Sequence, residues 1–350
     1  VIRRRPFLAA LPALALADAA QALPPRRIAF PADHGSHPEL RTEWWYITGH
    51  AQEGTRSFGF QVTFFRTRVD AAQGMQSAFA ARQLVFAHAA ITDVQGRKLW
   101  HDQRIARAGF GIAQAATDDA ALRLRDWSLQ RQGEAWHAQV PAQGFALDLR
   151  CTPTQPVLLQ GQQGLSRKGP EAAQASYYYS LPQLAVAGTL SLQGRSFRVA
   201  GRAWLDHEWS EALMHPDAVG WDWIGMNLFD GGALTAFRLR RKDGSTLWDG
   251  GSYRSPAGVL HVASPGETVF SAQQRWTSPT SGATYPVEWI VRTPADFYTV
   301  RAVIPDQELD SRASTGAIYW EGLSDLIDGN GKAVGRGYLE MTGYAGRLRI

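Results

Sequence analysis

Along most of this chain, apolar positions recur at every second residue. Phe58, Phe60, Val62 and Phe64 alternate with Gly59, Gln61 and Thr63. Leu84, Phe86, His88 and Ala90 form a second series, and Leu184, Val186, Gly188, Leu190 and Leu192 a third. Phe197, Val199, Gly201, Ala203 and Leu205 form a fourth, alternating with Arg198, Ala200, Arg202 and Trp204. Successive side chains of a strand point to opposite faces, so a period of two predicts strands with one buried face. Turn chemistry falls between the runs, at Gln95-Gly96, Gln193-Gly194, Asp230-Gly231-Gly232, Asp243-Gly244 and Asp328-Gly329-Asn330-Gly331. Glycine tolerates the positive φ of tight turns, so these pairs predict hairpins. No helical pattern beyond the N-terminal stretch runs for more than a few turns. The fold class is all-β.

An internal echo divides the pattern in two. Trp44-Trp45-Tyr46-Ile47 followed by Phe64-Phe65-Arg66 is matched by Trp221-Asp222-Trp223-Ile224 followed by Ala236-Phe237-Arg238. Two related antiparallel β-barrels fit this echo, and closure removes the exposed edges that make open sheets prone to association. The expected units are 23–195 and 196–350. A chance likeness between Trp-rich strands is the competing explanation.

The N-terminus differs in kind. Arg3-Arg4-Arg5 precedes an apolar stretch from Phe7 to Ala17, then Ala20-Gln21-Ala22. A basic start, a short apolar middle and a small-x-small site read as a secretory signal peptide over 1–22, cleaved near Ala22. The apolar part is far shorter than the ~20 residues of a spanning helix. Arg4-Arg5-Pro6-Phe7-Leu8 also fits a twin-arginine signal, which exports folded proteins. The expected location is periplasmic or secreted.

Composition adds three constraints. The 350 residues are 45% hydrophobic and 19% charged, which excludes a disordered or fibrous chain and is enough for two cores. The formal charge of +4 falls to +2 without residues 1–22, and no basic run interleaves with aromatics, so nucleic acid is not an expected partner. Cys151 is the only cysteine and lies on the apolar parity of Phe145, Leu147 and Leu149, which predicts a buried structural thiol.

The densest polar and aromatic group is Trp204-Leu205-Asp206-His207-Glu208-Trp209-Ser210-Glu211. In a strand, Leu205, His207 and Trp209 share one face, and Trp204, Asp206 and Glu208 share the other. Three consecutive ionisable residues between apolar strands are costly to bury unless paired, which points to a cavity or to a buried network joining the domains. A histidine beside carboxylates serves as a general acid or base, and a nearby indole face stabilises positive charge. Further candidates are Trp44, Tyr46, His50, His88, Tyr177, Tyr179, Trp221, Asp222 and Trp223. His88 by itself reads as a satisfied core histidine, and Glu43, ahead of a strand, as a solvated strand-end charge. Thirteen tryptophans supply stiff aromatic surface for an apolar cavity and serve equally as core filler.

Other chemistries lack their motifs. His207-Glu208-Trp209-Ser210-Glu211 has Glu where the zinc pattern H-E-x-x-H needs its second His, and that pattern requires a helix. A metal held by His207 with remote ligands stays open, although none is expected. There is no G-x-S-x-G elbow and no phosphate-cradling glycine motif, so neither a serine hydrolase nor a nucleotide cofactor is indicated.

Several long motifs carry a resemblance. Glu43-Trp44-Trp45-Tyr46, Phe86-Ala87-His88-Ala89-Ala90-Ile91-Thr92-Asp93, Ser176-Tyr177-Tyr178-Tyr179-Ser180 and Trp204-Leu205-Asp206-His207-Glu208-Trp209 resemble the AttH-like proteins. So do Tyr319-Trp320-Glu321-Gly322 and Gly337-Tyr338-Leu339-Glu340-Met341-Thr342-Gly343-Tyr344. These proteins fall in the superfamily of carotenoid 1,2-hydratases (hydroxyneurosporene synthases). The resemblance implies two lipocalin-like β-barrel domains and, by analogy, acid-catalysed hydration or cyclisation of an isoprenoid, polyene or lipid. It assigns proton donation to His207, Trp209 and Asp222, with Trp44, Tyr46, His88, Tyr177, Tyr179, Trp204 and Trp223 around the ligand. His207 is then expected to point into a dry pocket inside a barrel. No cofactor is implied. The same resemblance suggests a non-catalytic carrier, partnered by an envelope ABC transporter or a membrane surface.

Overall fold

The computed structural model describes residues 22–347, so the expected signal segment before Ala22 lies outside the described residues. The described residues form two large antiparallel sheets of 13 and 10 strands with one two-stranded ribbon. Their only helical turns are Ala32–His34 and Asp70–Ala72. No helix among them is long and apolar enough to cross a membrane. The fold is all-β and lipocalin-like.

In the first sheet, Thr42–Glu53, Arg56–Arg68, Gln83–Asp93 and Lys98–Arg107 pair in succession. Arg195–Ala212 and Ala175–Leu192 continue from the other edge of Thr42–Glu53, followed by Phe145–Thr152 and shorter strands. The sheet curls until Lys98–Arg107 approaches Ala121–Leu124, nearly closing a barrel. Its inside is packed with Phe58, Phe60, Val62, Phe64, Trp45, Trp127 and Trp136, all buried. The sequence places a cavity here; large aromatic side chains occupy the space instead.

The second sheet centres on Gly220–Leu228, flanked by Ala233–Arg240 on one side and Ala333–Met341 and Ala317–Ile327 on the other. Its core holds Ile224, Met226, Trp289, Trp320 and Leu339. Both echoed aromatic segments therefore begin a hairpin central to a sheet, with Trp44 opposite Phe65 and Trp223 opposite Phe237.

The boundary expected between 195 and 196 falls at the first residue of a strand of the first sheet. Arg195–Ala212 pairs with strands on both sides, so the chain changes sheets between Ala212 and Gly220. The reason is the turn at Gln193-Gly194. With φ of 48° and 80°, it makes a tight hairpin between two 18-residue strands.

A third apolar cluster, with Tyr46, Trp204, Trp223, Phe237, Leu323 and Tyr338, joins the sheets. Gly59 allows this contact, since a Cβ there would lie 2.7 Å from the Tyr338 hydroxyl and 2.9 Å from Leu323 Cβ. Thr92 Oγ1 donates to Gln307 (2.8 Å), and the Gln183 amide donates to Asn227 Oδ1 (2.8 Å) across the same seam.

Candidate functional site

Strands of the first sheet that face the second are buried on both sides. On Gln83–Asp93, Val85, Ala87 and Ala89 enter the first core, while Leu84, Phe86 and His88 face a cavity between the sheets. The cavity measures ≈ 330 Å³. Trp44, Tyr46 and Phe65 wall it from the first sheet, and Trp221, Trp223 and Phe237 from the second.

The two faces of Arg195–Ala212 have separate fates. Asp206 and Glu208 reach the cavity. Asp206 Oδ1 accepts from Ser180 Oγ (2.5 Å) and Trp204 Nε1 (2.6 Å), and its Oδ2 accepts from Tyr178 (2.7 Å). Despite these donors, burial pushes the Asp206 carboxyl up to about 7. Glu208 accepts from the Ser176 hydroxyl and pairs with Lys168 Nζ at 3.0 Å. The Lys168 ammonium also lies 4.2 Å from the centre of the Phe237 ring, tying the two sheets together.

His207 and Trp209 face the opposite way, into the first barrel. The His207 ring is fully buried and stacked on Trp45 at 4.6 Å, with Nε2 3.0 Å from Glu43 Oε1. Burial lowers its basicity against the pull of Glu43. Glu43 is no solvated strand end: it is fully buried, accepting from Ser36 Oγ, the His37 backbone and Arg66 Nε (3.0 Å). Burial alone would raise its pKa, but His207, His37 and the Arg66 guanidinium hold it well below the usual carboxylate range. Trp209 stacks on His37 at 4.1 Å. His207 and Trp209 thus enter the barrel, but its interior is packed rather than hollow, and the cavity lies on the strand's other face; strand parity alone does not say which face meets a cavity.

Asp222 is likewise buried away from the cavity. Arg238 Nε (2.7 Å), Arg240 Nε (3.0 Å) and the Tyr344 hydroxyl (2.9 Å) surround it, forming an internal ion cluster of the second sheet. Tyr177 and Tyr179 share a face, as alternation requires, but it is the barrel face. Tyr177 donates to Pro24 O (2.5 Å), and the Tyr179 hydroxyl lies 2.6 Å from His34 Nδ1. Tyr178, between them, lines the cavity. Trp204 packs behind the wall, edge-on to Trp223 at 6.5 Å. His50 sits outside the cavity, its basicity lowered to about 4 by burial. Of the expected ligand residues, Trp44, Tyr46, His88 and Trp223 meet at the cavity. His88 is both satisfied and cavity-lining, with Nδ1 2.8 Å from the Tyr319 hydroxyl and Nε2 2.8 Å from Ser314 Oγ.

Among the described residues, His37, Glu43 and His207 form one set of metal-ligand type. The separations from Glu43 Oε1, 2.7 Å to His37 Nδ1 and 3.0 Å to His207 Nε2, are hydrogen-bond lengths. Arg66 holds the other carboxylate oxygen. The set suits a hydrogen-bonded ion network better than a cation.

Glu321 and Glu340 stand in the sequence only within the resembling motifs and are not among its candidate site residues. Both line the cavity, from adjacent strands of the second sheet. Burial raises Glu340 to about 8, and burial with the Glu340 charge raises Glu321 further. The signal available was a carboxylate on the apolar parity of each strand, between Tyr319 and Leu323 and after Tyr338.

An AttH protein from Nitrosomonas europaea shares this structure with a TM-score of 0.87 and 43% identity, covering 93% of this chain and 100% of that one. Kievitone hydratase from Nectria haematococca matches with a TM-score of 0.71 at 12% identity, over 91% of this chain and 93% of its own. CghA matches at 0.50 and 12%, over 87% and 88%. At such identity the last two share the fold alone. No protein of curated function matches the sequence. The AttH-like family model extends over residues 21–344, and this chain belongs to the AttH-like family.

Proposed function

We propose that this protein binds an apolar, extended small molecule (an isoprenoid, polyene or lipid) in the interdomain cavity, and hydrates or cyclises it by acid catalysis. One observation carries this reading: an aromatic-walled cavity contains carboxyl groups that burial keeps protonated near neutral pH, with Asp206 at about 7 and Glu340 at about 8. Protonating an unactivated alkene needs a neutral acid held away from water, and a positioned general acid typically contributes ~10²–10⁴-fold. Indole faces such as those of Trp44, Trp221 and Trp223 would stabilise the resulting cation by about 2 kcal/mol each when desolvated. In this reading the cavity carboxyls, not His207, Trp209 or Asp222, handle the proton. A fold shared with a hydratase makes the chemistry one this architecture can house.

A carrier is the second reading. It is favoured by the fully hydrogen-bonded state of Asp206 and the pairing of Glu208 with Lys168, which leave neither group free to react. The chain would then act outside the cytoplasm, after cleavage near Ala22, delivering its ligand to an envelope ABC transporter or membrane surface.

The deciding experiment incubates the purified protein with lycopene- and neurosporene-type polyenes and follows mass and tryptophan fluorescence. A product heavier by one water supports the enzyme. Quenching with no product supports the carrier. Neither change, with no lipid extractable from the periplasmically expressed protein, rejects both.

A further inference from the structure

Glu321 on Ala317–Ile327 and Glu340 on Ala333–Met341 are direct cross-strand partners. Both reach the same cavity, so two carboxyl groups stand side by side on its second-domain wall. Like charges directly opposite on neighbouring strands repel, and a single proton held between two carboxyls removes the repulsion.

The opposite wall offers a contrast. There Asp206 accepts three hydrogen bonds and Glu208 has its lysine. Glu321 instead has one oxygen, Oε1, buried without a partner, and the Tyr46 hydroxyl is buried without one too. Glu321 is only 3% exposed and Tyr46 only 6%. Unpaired buried polar atoms are rare because desolvating them is costly, and these two belong to groups close enough to act on each other, so the Tyr46 phenol faces the Glu321 carboxyl without a well-formed hydrogen bond.

Among the described residues, the groups that act on this pair include no cation. Tyr46 approaches from the first sheet, and Tyr319 and Tyr338 lie on the pair's own strands. Trp221 comes from Gly220–Leu228, and Asp206 and Glu208 from the facing wall. Lys168 is engaged by Glu208, and burial leaves the His88 imidazole neutral beside Tyr319.

We propose that Glu321 and Glu340 act as one acid, a carboxyl pair sharing a single proton, and that with Tyr46 it forms the proton-donating and cation-accepting end of the cavity. This rests on the acid-catalysis reading above and names its donor and its substrate class: an alkene whose protonation gives a tertiary cation. The shared proton passes to the less substituted alkene carbon, where the π electrons form the new C–H bond. The cation left behind faces the ionised pair. The oxygen of a water then bonds to the cationic carbon, and one of its protons returns to the pair. The net change is one water added, with no oxidant or reductant. Tyr46 is a positioning residue, its hydroxyl directed to the carboxylate that remains.

The test uses cation mimicry, because a site complementary to a cationic intermediate binds its stable analogue more tightly than the neutral substrate. A dimethylamino-terminated isoprenoid, protonated at pH 7, is titrated into the full chain alongside its neutral hydrocarbon isostere, with tryptophan quenching as the readout. Wild type should bind the ammonium compound at least ~10-fold more tightly. Glu321→Gln and Glu340→Gln should each reduce that preference, and the double variant should abolish it. Infrared spectra at pH 7 should show a stronger protonated-carboxyl band in wild type than in the double variant, where only the Asp206 share remains, a readout that needs no ligand. A preference that survives in the double variant, or a protonated-carboxyl band that the double variant leaves undiminished, overturns the inference. Binding of neither compound removes the reading beneath it, and the infrared band then decides the shared proton separately. Should the double variant fail to fold, the single variants carry both measurements.

Discussion

The His207 imidazole and the Glu208 carboxylate are neighbours in the chain and lie on opposite sides of one sheet. The first is 3.0 Å from Glu43 inside the first barrel; the second is 3.0 Å from Lys168 at the cavity between the sheets. One strand thus carries a structural network on one face and a cavity wall on the other. Changes at the two positions should separate cleanly.

Glu43→Gln removes the counter-charge of Arg66, itself 2% exposed, and should destabilise the protein by about 3–5 kcal/mol. His207→Ala removes one of several partners of Glu43 and should cost less, about 1–3 kcal/mol. Denaturant unfolding measures both. Ligand quenching by the folded fraction should match wild type, and a selective loss of binding in His207→Ala would restore that ring to the functional site.

Lys168→Met leaves Glu208 buried without its cation and should cost about 3–5 kcal/mol. Adding Glu208→Gln should recover much of the loss, since the pair is removed together. A double-mutant cycle checks the coupling, and strictly additive effects would show that the pair does not hold the wall.

Stability should have two limbs: an acid limb from buried histidines such as His50 and His88, lowered from 6.5 to about 4 and about 3, whose stabilisation is lost as pH falls, and an alkaline limb from buried carboxyls. Asp206 moves from 3.8 to about 7 on folding and Glu340 from 4.5 to about 8, so the folded state keeps protons that the unfolded chain releases. Their contribution is full below the unfolded values and is lost as pH rises toward about 7 and 8. Glu43, held below its ordinary 4.5, acts in the opposite sense, stabilising above that value and ceasing to do so as pH falls. Melting temperature against pH measures the curve. Asp206→Asn should flatten its alkaline limb, and a melting temperature that goes on climbing from about pH 7 to 8 would contradict the assignment.

Cys151 is buried on the Phe145–Thr152 strand, and burial pushes its thiol up to about 12. A thiol reagent at neutral pH should leave the native protein unmodified and label it fully after unfolding, because the thiolate is the reactive form. Rapid native labelling would mean that this strand opens.

The alternation in the chain determined the strands, their turns and the all-β class, because side-chain period and hairpin chemistry are local properties of the backbone. It determined the parity within Asp206-His207-Glu208 and within Tyr177-Tyr178-Tyr179 for the same reason. Which face of each strand meets the cavity was not local. On Gln83–Asp93 both faces are apolar because a second sheet covers the outside of the first, so the pattern of Leu84, Phe86 and His88 could not distinguish core from ligand wall. Only the docking of the two sheets brought Glu321 and Glu340 opposite Asp206, turned His207 and Asp222 inward to separate ion networks, and opened the cavity between the sheets. The relationships of Asp206 with Glu321 and Glu340, and of His207 with Glu43, join residues more than a hundred positions apart, and long-range packing rather than local sequence sets their geometry.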